Sequence, residues 1–162
     1  MSKKFALAAG AVALCAMTAA SNAQVQMQRD ITWKLGLAIA EGAIEECAKN
    51  NVAITVAVVD RAGRVRIFIA SDNPSPHNFE LARRKAYTAR TFRAPSADFL
   101  KRMQRDPAAH ASEEYTRVLA LPGGLPIKVG DDVVGAVGVS GSPGKDDDCG
   151  QAGINKVADQ LK

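Results

Sequence analysis

The segment from residue 121 to 141 constrains the fold of this chain more than any other part of the sequence. It reads LPGGLPIKVGDDVVGAVGVSG and contains two runs rich in β-branched residues, 127–129 and 133–139. Gly130-Asp131-Asp132 between the runs is typical of a turn, so the segment predicts a β-hairpin. Gly135, Gly138 and Gly141 recur at every third position, and glycine in a strand usually marks a bulge or the close approach of another group.

The first two of these glycines are an odd number of positions apart. In a regular strand they therefore face opposite sides of the sheet, and one flat ligand cannot contact both. We expect at least one of the two to serve the packing of a helix or a subunit.

The rest of the sequence predicts a single α+β domain. Asp30 is a candidate N-cap for a helix that reaches about residue 50. Hydrophobic periodicity and turn signals then predict strands at 52–60 and 64–70, helices at 79–92, 96–104 and 107–114, a short strand at 115–120, the hairpin, and a last helix ending near 161. The element order is α-β-β-α-α-β-β-β-α when the two short helical segments count as one, which gives a five-stranded, mostly antiparallel sheet flanked by helices.

The N-terminus has the pattern of an export signal. Lys3 and Lys4 precede an apolar run at 5–17, and Ser21-Asn22-Ala23 supplies the small residues of a cleavage site before Gln24. The apolar run is shorter than the roughly 20 residues of a membrane-spanning helix. The sequence therefore predicts a signal peptide at 1–23, a domain at 24–162 and a periplasmic or secreted location, with an uncleaved N-terminal helix or anchor as the alternative.

Charge and cysteine content narrow the partners and the compartment. Without residues 1–23 the chain keeps 19 Lys and Arg against 17 Asp and Glu, so its formal charge is only +2. This balance does not favour nucleic-acid binding. Cys47 and Cys149 are the two cysteines that remain, and in an oxidising compartment an even pair predicts a disulfide, with two buried free thiols as the alternative.

Three motifs resemble a known family. They are VAVVDRAG at 56–63, RKAYTA at 84–89 and the glycine-rich hairpin, and they occur in the order found in the GlcG/HbpS group, also called DUF336. The resemblance covers nearly the whole chain after about residue 30. It implies a sheet flanked by helices, haem as the cofactor, and assembly into homo-oligomers.

The two histidines are the candidate iron ligands in the light of this resemblance. His77 ends the turn-rich loop SDNPSPHN directly before a predicted helix, and imidazole is a good axial ligand for haem iron. His110 lies on a short polar helical turn. The alternative is that His77 caps the helix or is exposed, and that His110 is solvated.

The basic run at 83–85 supplies candidate partners for the propionates of a porphyrin. Arg84 and Thr88 share one face of the predicted helix, whereas Lys85 points about 100° away, because successive helical residues are rotated by that angle. The three residues therefore cannot serve one ligand equally. A solvated helix face is the alternative.

Three hypotheses for function follow. The first is an exported haem-binding protein that sequesters or senses haem. The second is an enzyme or enzyme accessory that acts on haem or a small carboxylate, although the sequence contains neither a GxSxG nor an HExxH motif. The third is an oligomeric structural module without a ligand.

Overall fold

The computed structural model describes residues 24–162, so the predicted signal peptide at 1–23 lies outside the described residues. The helices are α1 Trp33–Ala48, α2 Asn78–Phe92, α3 Ser96–Arg105, α4 His110–Tyr115 and α5 Asp146–Lys156. The strands are β1 Thr55–Asp60, β2 Val65–Ala70, β3 Gly124–Val129 and β4 Asp132–Ser140. Among residues 24–162, none of the helices has the length and apolar character that crossing a bilayer requires.

Within the described residues the strands form one antiparallel sheet in the order β2-β1-β4-β3. All six residues of β1 are buried, which explains the near-continuous apolar run in this part of the sequence. β3 and β4 are joined by the two residues Gly130 and Asp131, and Gly130 adopts a φ of 59°. The predicted hairpin is therefore confirmed.

Helices cover both faces of the sheet. Val56 and Val58 of β1 point into the core beneath α1 and α5, whereas Ala57 and Val59 pack against α2. The residues of α2 that meet the sheet are the alanines Ala82, Ala86 and Ala89. Because these side chains are small, the backbone of α2 lies close to the sheet.

The hairpin glycines make room for this packing. A Cβ atom at Gly138 would lie 2.1 Å from the carbonyl oxygen of Ala82 in α2. A Cβ atom at Gly135 would lie 2.6 Å from the carbonyl oxygen of Val59 and 3.3 Å from the side chain of Ile31. Gly138 therefore serves helix packing, as expected for at least one of the pair, while Gly135 faces the other layer of the domain.

The prediction of a fifth strand at 115–120 is wrong. This segment is irregular, and its backbone groups bond to side chains instead of to a neighbouring strand. Thr88 Oγ1 accepts a hydrogen bond from the Leu119 N–H at 2.7 Å, and Glu113 accepts one from the Ala120 N–H at 2.8 Å. Arg84 donates to the Val118 carbonyl at 2.5 Å. Because side chains already satisfy these groups, the segment does not extend the sheet.

The start of α1 also differs from the expectation. Thr32 is the N-cap, and its Oγ1 accepts a hydrogen bond from the Leu35 N–H at 3.2 Å. Asp30 instead accepts hydrogen bonds from the N–H groups of Ile31 and Arg61, at 2.8 and 3.0 Å. Its carboxylate thus holds the chain before α1 against the turn after β1.

The predicted disulfide is confirmed. Cys47 near the end of α1 and Cys149 in the first turns of α5 are both buried, and their sulfur atoms are 2.09 Å apart. The bridge joins the two helices that cover one face of the sheet. The two helices also lie close together at Gly153 of α5, since a Cβ atom there would lie 2.2 Å from the carbonyl oxygen of Ile39 in α1.

Candidate functional site

A cavity of about 590 Å³ opens where the N-terminus of α2, the end of β4 and the loop before α5 meet. Its volume lies in the range of about 300–1,000 Å³ that is usual for small-molecule pockets. Its walls combine apolar side chains, bare glycine backbone and a few polar groups. The apolar and glycine part consists of Leu81, Leu121, Pro122, Pro143, Gly141 and Gly144.

A buried ion pair forms part of the cavity wall. Lys85 Nζ lies 2.7 Å from Asp146 Oδ2, and the two side chains are only 4% and 9% exposed. The ammonium group also donates to the Val139 carbonyl at 3.0 Å, and Asp146 Oδ1 accepts from the Ser142 N–H at 2.8 Å. These contacts join α2, β4 and the start of α5, so the pair fixes three elements of the cavity relative to one another.

A second carboxylate on α5 contacts the loop before β3. Asp147 Oδ1 accepts a hydrogen bond from the Gly123 N–H at 2.7 Å. Burial raises the pKa of Asp147 above its ordinary value, and the charge of Asp146 adds to this rise, although the Gly123 N–H and Lys85 act in the opposite direction. The acidic start of α5 is therefore part of the cavity.

Two glycines shape the walls because no side chain fits at their positions. Gly123 has a φ of 115°, and a Cβ atom there would lie 2.5 Å from the Val139 carbonyl oxygen. Gly141 has a φ of 135°, and a Cβ atom there would lie 2.4 Å from the Ala53 carbonyl oxygen. Gly141 is the last of the regularly spaced hairpin glycines, and it is the one that lines the cavity.

His77 lies at the cavity rim. It directly precedes α2, and its side chain makes no capping hydrogen bond and is exposed. Its backbone carbonyl accepts from the Leu81 N–H at 3.2 Å, which places the residue at the first turn of the helix. The ring therefore does not cap the helix, but it is exposed, as the other part of the alternative expects, and it also lines the cavity.

The next residue, Asn78, extends the polar wall behind His77. Asn78 is buried and accepts a hydrogen bond from Ser140 Oγ at 3.3 Å. The sequence pattern did not single out either residue, since a polar residue at a helix start has many ordinary roles. Their proximity follows only from the placement of α2 across the end of β4.

Arg84 and Thr88 share one face of α2, as the helical spacing predicts, but this face points away from the cavity. Thr88 is fully buried, accepts from the Leu119 N–H and donates to the Arg84 carbonyl at 2.8 Å. Arg84 donates to the carbonyls of Val118 and Arg117. Of the basic run, it is Lys85 that lines the cavity.

His110 is the first residue of α4 and is exposed. It does not line the cavity, so the structure does not bring the two histidines together there. Among the residues that the structure describes, no group of three or more His, Cys, Asp or Glu side chains is placed to hold a metal ion.

Comparison with known proteins agrees with this architecture. The chain is 28% identical to protein GlcG of Escherichia coli strain K12 over 110 residues, which cover 68% of this chain and 81% of that protein. It is 28% identical to a double mutant of HbpS from Streptomyces reticuli, with a TM-score of 0.78 and coverage of 92% of this chain and 97% of that chain.

A further neighbour shows the fold alone. PduOC, solved as a complex with haem, has a TM-score of 0.71 at 22% identity, with coverage of 78% of this chain and 94% of that chain. Residues 31–155 match the family described as haem degrading protein HbpS-like. This match spans most of the sequence, including α1, the whole sheet and nearly all of α5, and the chain therefore belongs to the HbpS-like family.

Proposed function

We propose that this chain is an exported haem-binding protein, that the cavity at the start of α2 would hold the porphyrin, and that His77 would bind its iron. The observation that carries the proposal is the position of His77. Its imidazole lies at the rim of a cavity of about 590 Å³ and is not used as a helix cap. The family description and the haem complex of PduOC support haem as the ligand class.

The cavity walls fit a flat, largely apolar ring. Leu81, Leu121 and two prolines supply apolar surface, and Gly141 and Gly144 leave backbone without side chains. The bound haem would supply an iron centre, and a neutral imidazole is a suitable ligand for it. The Lys85–Asp146 pair is neutral as a unit, so it adds polarity to the wall without a net charge.

The carboxylates of the porphyrin would lie at the cavity mouth. Lys85 is the one cation among the described residues that line the cavity, and its ammonium group is bound to Asp146 and the Val139 carbonyl. Asp147 would repel a propionate in the interior. Solvent at the mouth is the favourable place for these groups, since burial of an unpaired charge is costly.

Arg84 and Thr88 are proposed to act as positioning residues. They hold residues 117–119 in place, and this segment leads directly into Leu121 and Pro122 of the cavity wall. A direct role for Arg84, Thr88 or His110 in haem binding, which the sequence predicts, is the alternative to this assignment. If one of these residues has a direct role, its substitution should lower the affinity for hemin without lowering the stability of the protein.

The disulfide supports export, because disulfides persist in oxidising compartments and are rare in reducing ones. The proposal includes a periplasmic or secreted location, cleavage before Gln24, and a role in haem sequestration or haem sensing. N-terminal sequencing of the protein from the culture medium or periplasm would test the first two. Assembly into homo-oligomers is also proposed, and light scattering of the purified protein would test it.

A hemin titration followed by absorbance tests the binding site. We expect residues 24–162 to give a saturable Soret shift, the His77→Gly variant to lose it or bind at least about tenfold more weakly, and added imidazole to restore the ligand spectrum. The His110→Ala variant should bind as the unaltered protein does. Equal loss in both variants, or no spectral change with the unaltered protein, would refute the proposal.

The family description favours haem degradation as the second candidate function. The same complex mixed with ascorbate in air separates the two. A stable Soret band supports binding alone. Loss of the band with formation of an open-chain tetrapyrrole, absent in the His77→Gly variant, would establish degradation.

A further inference from the structure

A second cavity, of about 380 Å³, lies at the far end of α2 and contains an unusual concentration of arginine. Arg90 and Arg93 come from the end of α2, and Arg61 and Arg64 come from the turn between β1 and β2. Thirteen residues of helix, about 20 Å, separate Arg90 from His77, and the two cavities share no lining residue. We call this second cavity the arginine cleft.

Two of the four arginines that line the cleft have carboxylate partners within the protein. Arg61 pairs with Asp132, and Arg64 Nε lies 3.0 Å from Asp60 Oδ2. Asp60 is shared with the nearby Arg66 at 3.2 Å. The aspartates in and around the cleft are thus already occupied.

Arg90 and Arg93 are different. Within residues 24–162, neither side chain has a hydrogen bond or an ion pair to another residue. The Nε atom of Arg90 is buried and has no hydrogen-bond partner. Burial, and after it the charges of Arg61 and Arg93, lower the pKa of the Arg90 guanidinium, although the charges of Asp132 and Asp30 act in the opposite direction. The C-terminal end of α2 favours the positive charge of Arg90, because it is the negative end of the helix dipole. It provides no acceptor for the buried Nε–H of Arg90, and an unsatisfied buried donor is costly.

The arginines in and around the cleft outnumber the aspartates. The cleft and its immediate partners contain five arginines and three aspartates, which leaves two positive charges without a counter-charge; the residues are Arg61, Arg64, Arg66, Arg90, Arg93, Asp30, Asp60 and Asp132. Guanidinium groups bind carboxylates and phosphates through paired, charge-assisted hydrogen bonds. The cleft volume is at the small end of the usual range for ligand pockets.

The backbone at Arg93 agrees with this assignment. Arg93 ends α2 in the left-handed conformation with a φ of 55°. Glycine is the residue that adopts this conformation without strain, and it is the usual choice at this position of a helix. Arginine places a long cationic side chain at the cleft instead.

We infer that the arginine cleft is a binding site for a small dianion, a phosphate monoester or a dicarboxylate, and that it is separate from the cavity at His77. The ligand supplies the acceptor that Arg90 Nε lacks and the two negative charges that the cleft lacks. Arg90 and Arg93 are the principal contacts, because Arg61 and Arg64 are already paired.

Calorimetric titration of residues 24–162 with inorganic phosphate, succinate and acetate at constant ionic strength tests the inference. We expect one saturable site per chain for phosphate or succinate and none for acetate. The Arg90→Gln and Arg93→Gln variants should each bind at least about tenfold more weakly, the effect of losing a charge-assisted hydrogen bond. Arg105→Gln, which removes the same charge from an exposed position on α3, should bind as the unaltered protein does.

Three results would overturn the inference: no saturable dianion binding at millimolar concentration, equal binding of acetate, or equal weakening in Arg105→Gln. Because Arg93 is exposed, its variant keeps the test valid even if Arg90→Gln fails to fold. Hemin binding measured on Arg93→Gln should be unchanged. A failure of the proposed haem site is thus distinguishable from a failure of the arginine cleft.

Discussion

The Lys85–Asp146 pair gives the most quantitative prediction. In a Lys85→Met variant the apolar stem is retained, but Asp146 loses its ammonium partner and keeps the Ser142 N–H as its donor. The Val139 carbonyl loses a donor as well. Because both side chains are less than a tenth exposed, we expect the free energy of unfolding at neutral pH to fall by about 3–5 kcal/mol, the usual cost of an unpaired buried charge.

The double variant Lys85→Met/Asp146→Asn separates the charge from the packing. Asparagine keeps an oxygen for the Ser142 N–H and carries no charge, so most of the lost stability should return, to within about 1–2 kcal/mol of the unaltered protein. Urea denaturation followed by circular dichroism measures all the variants.

The matched control is Lys101→Met, which removes a lysine paired with Asp98 at 2.8 Å, where the side chains are 62% and 49% exposed. An exposed pair contributes about 0–1 kcal/mol, so this variant should be nearly as stable as the unaltered protein. Equal losses in Lys85→Met and Lys101→Met, or no recovery in the double variant, would refute the assignment of a buried, structurally required pair.

Three further predictions concern other parts of the structure. Replacement of Cys47 and Cys149 by serine removes a cross-link between residues 102 positions apart. The free energy of unfolding, measured in urea, should fall by up to about 4.7 kcal/mol, and an unchanged urea midpoint would contradict this. Gly138→Ala should destabilise by about 1–3 kcal/mol, since its Cβ would meet the Ala82 carbonyl. Gly130→Asn has open space and a φ of 59° that asparagine tolerates better than most residues, so it should cost about 1 kcal/mol or less. Burial raises the pKa of Asp147 above its ordinary value of 3.8. Its contribution to the free energy of unfolding is therefore complete below pH 3.8 and is lost as the pH rises through the raised pKa. Asp147→Asn should therefore be more stable than the unaltered protein at neutral pH, and this gain should disappear on acidification; a gain that grows toward low pH would contradict the assignment.

The sequence predicts most of the secondary structure because its signals are local. The glycine-rich hairpin, the buried first strand and the helix that begins after His77 all follow from periodicity and turn residues. The fifth strand was predicted wrongly because the composition of residues 115–120 does not show where their backbone hydrogen bonds go. Arg84, Thr88 and Glu113 satisfy them from outside the segment, and such long-range contacts leave no local pattern.

The candidate site is less predictable, for the same reason. His77 was identified from its loop, but the cavity beside it exists because α2 crosses the end of β4 next to α5. Lys85 was one member of a basic run, and Asp146 one member of an acidic run. Only the fold brings these two residues, which are 61 positions apart, into a buried pair.

The structure of residues 24–162 crystallised with hemin tests the central proposal most directly. We predict one porphyrin per cavity at the start of α2, with the iron bound to a ring nitrogen of His77 and the propionates at the cavity mouth. Hemin bound at the arginine cleft, on the exposed face near His110, or in the cavity without His77 as an iron ligand would contradict it.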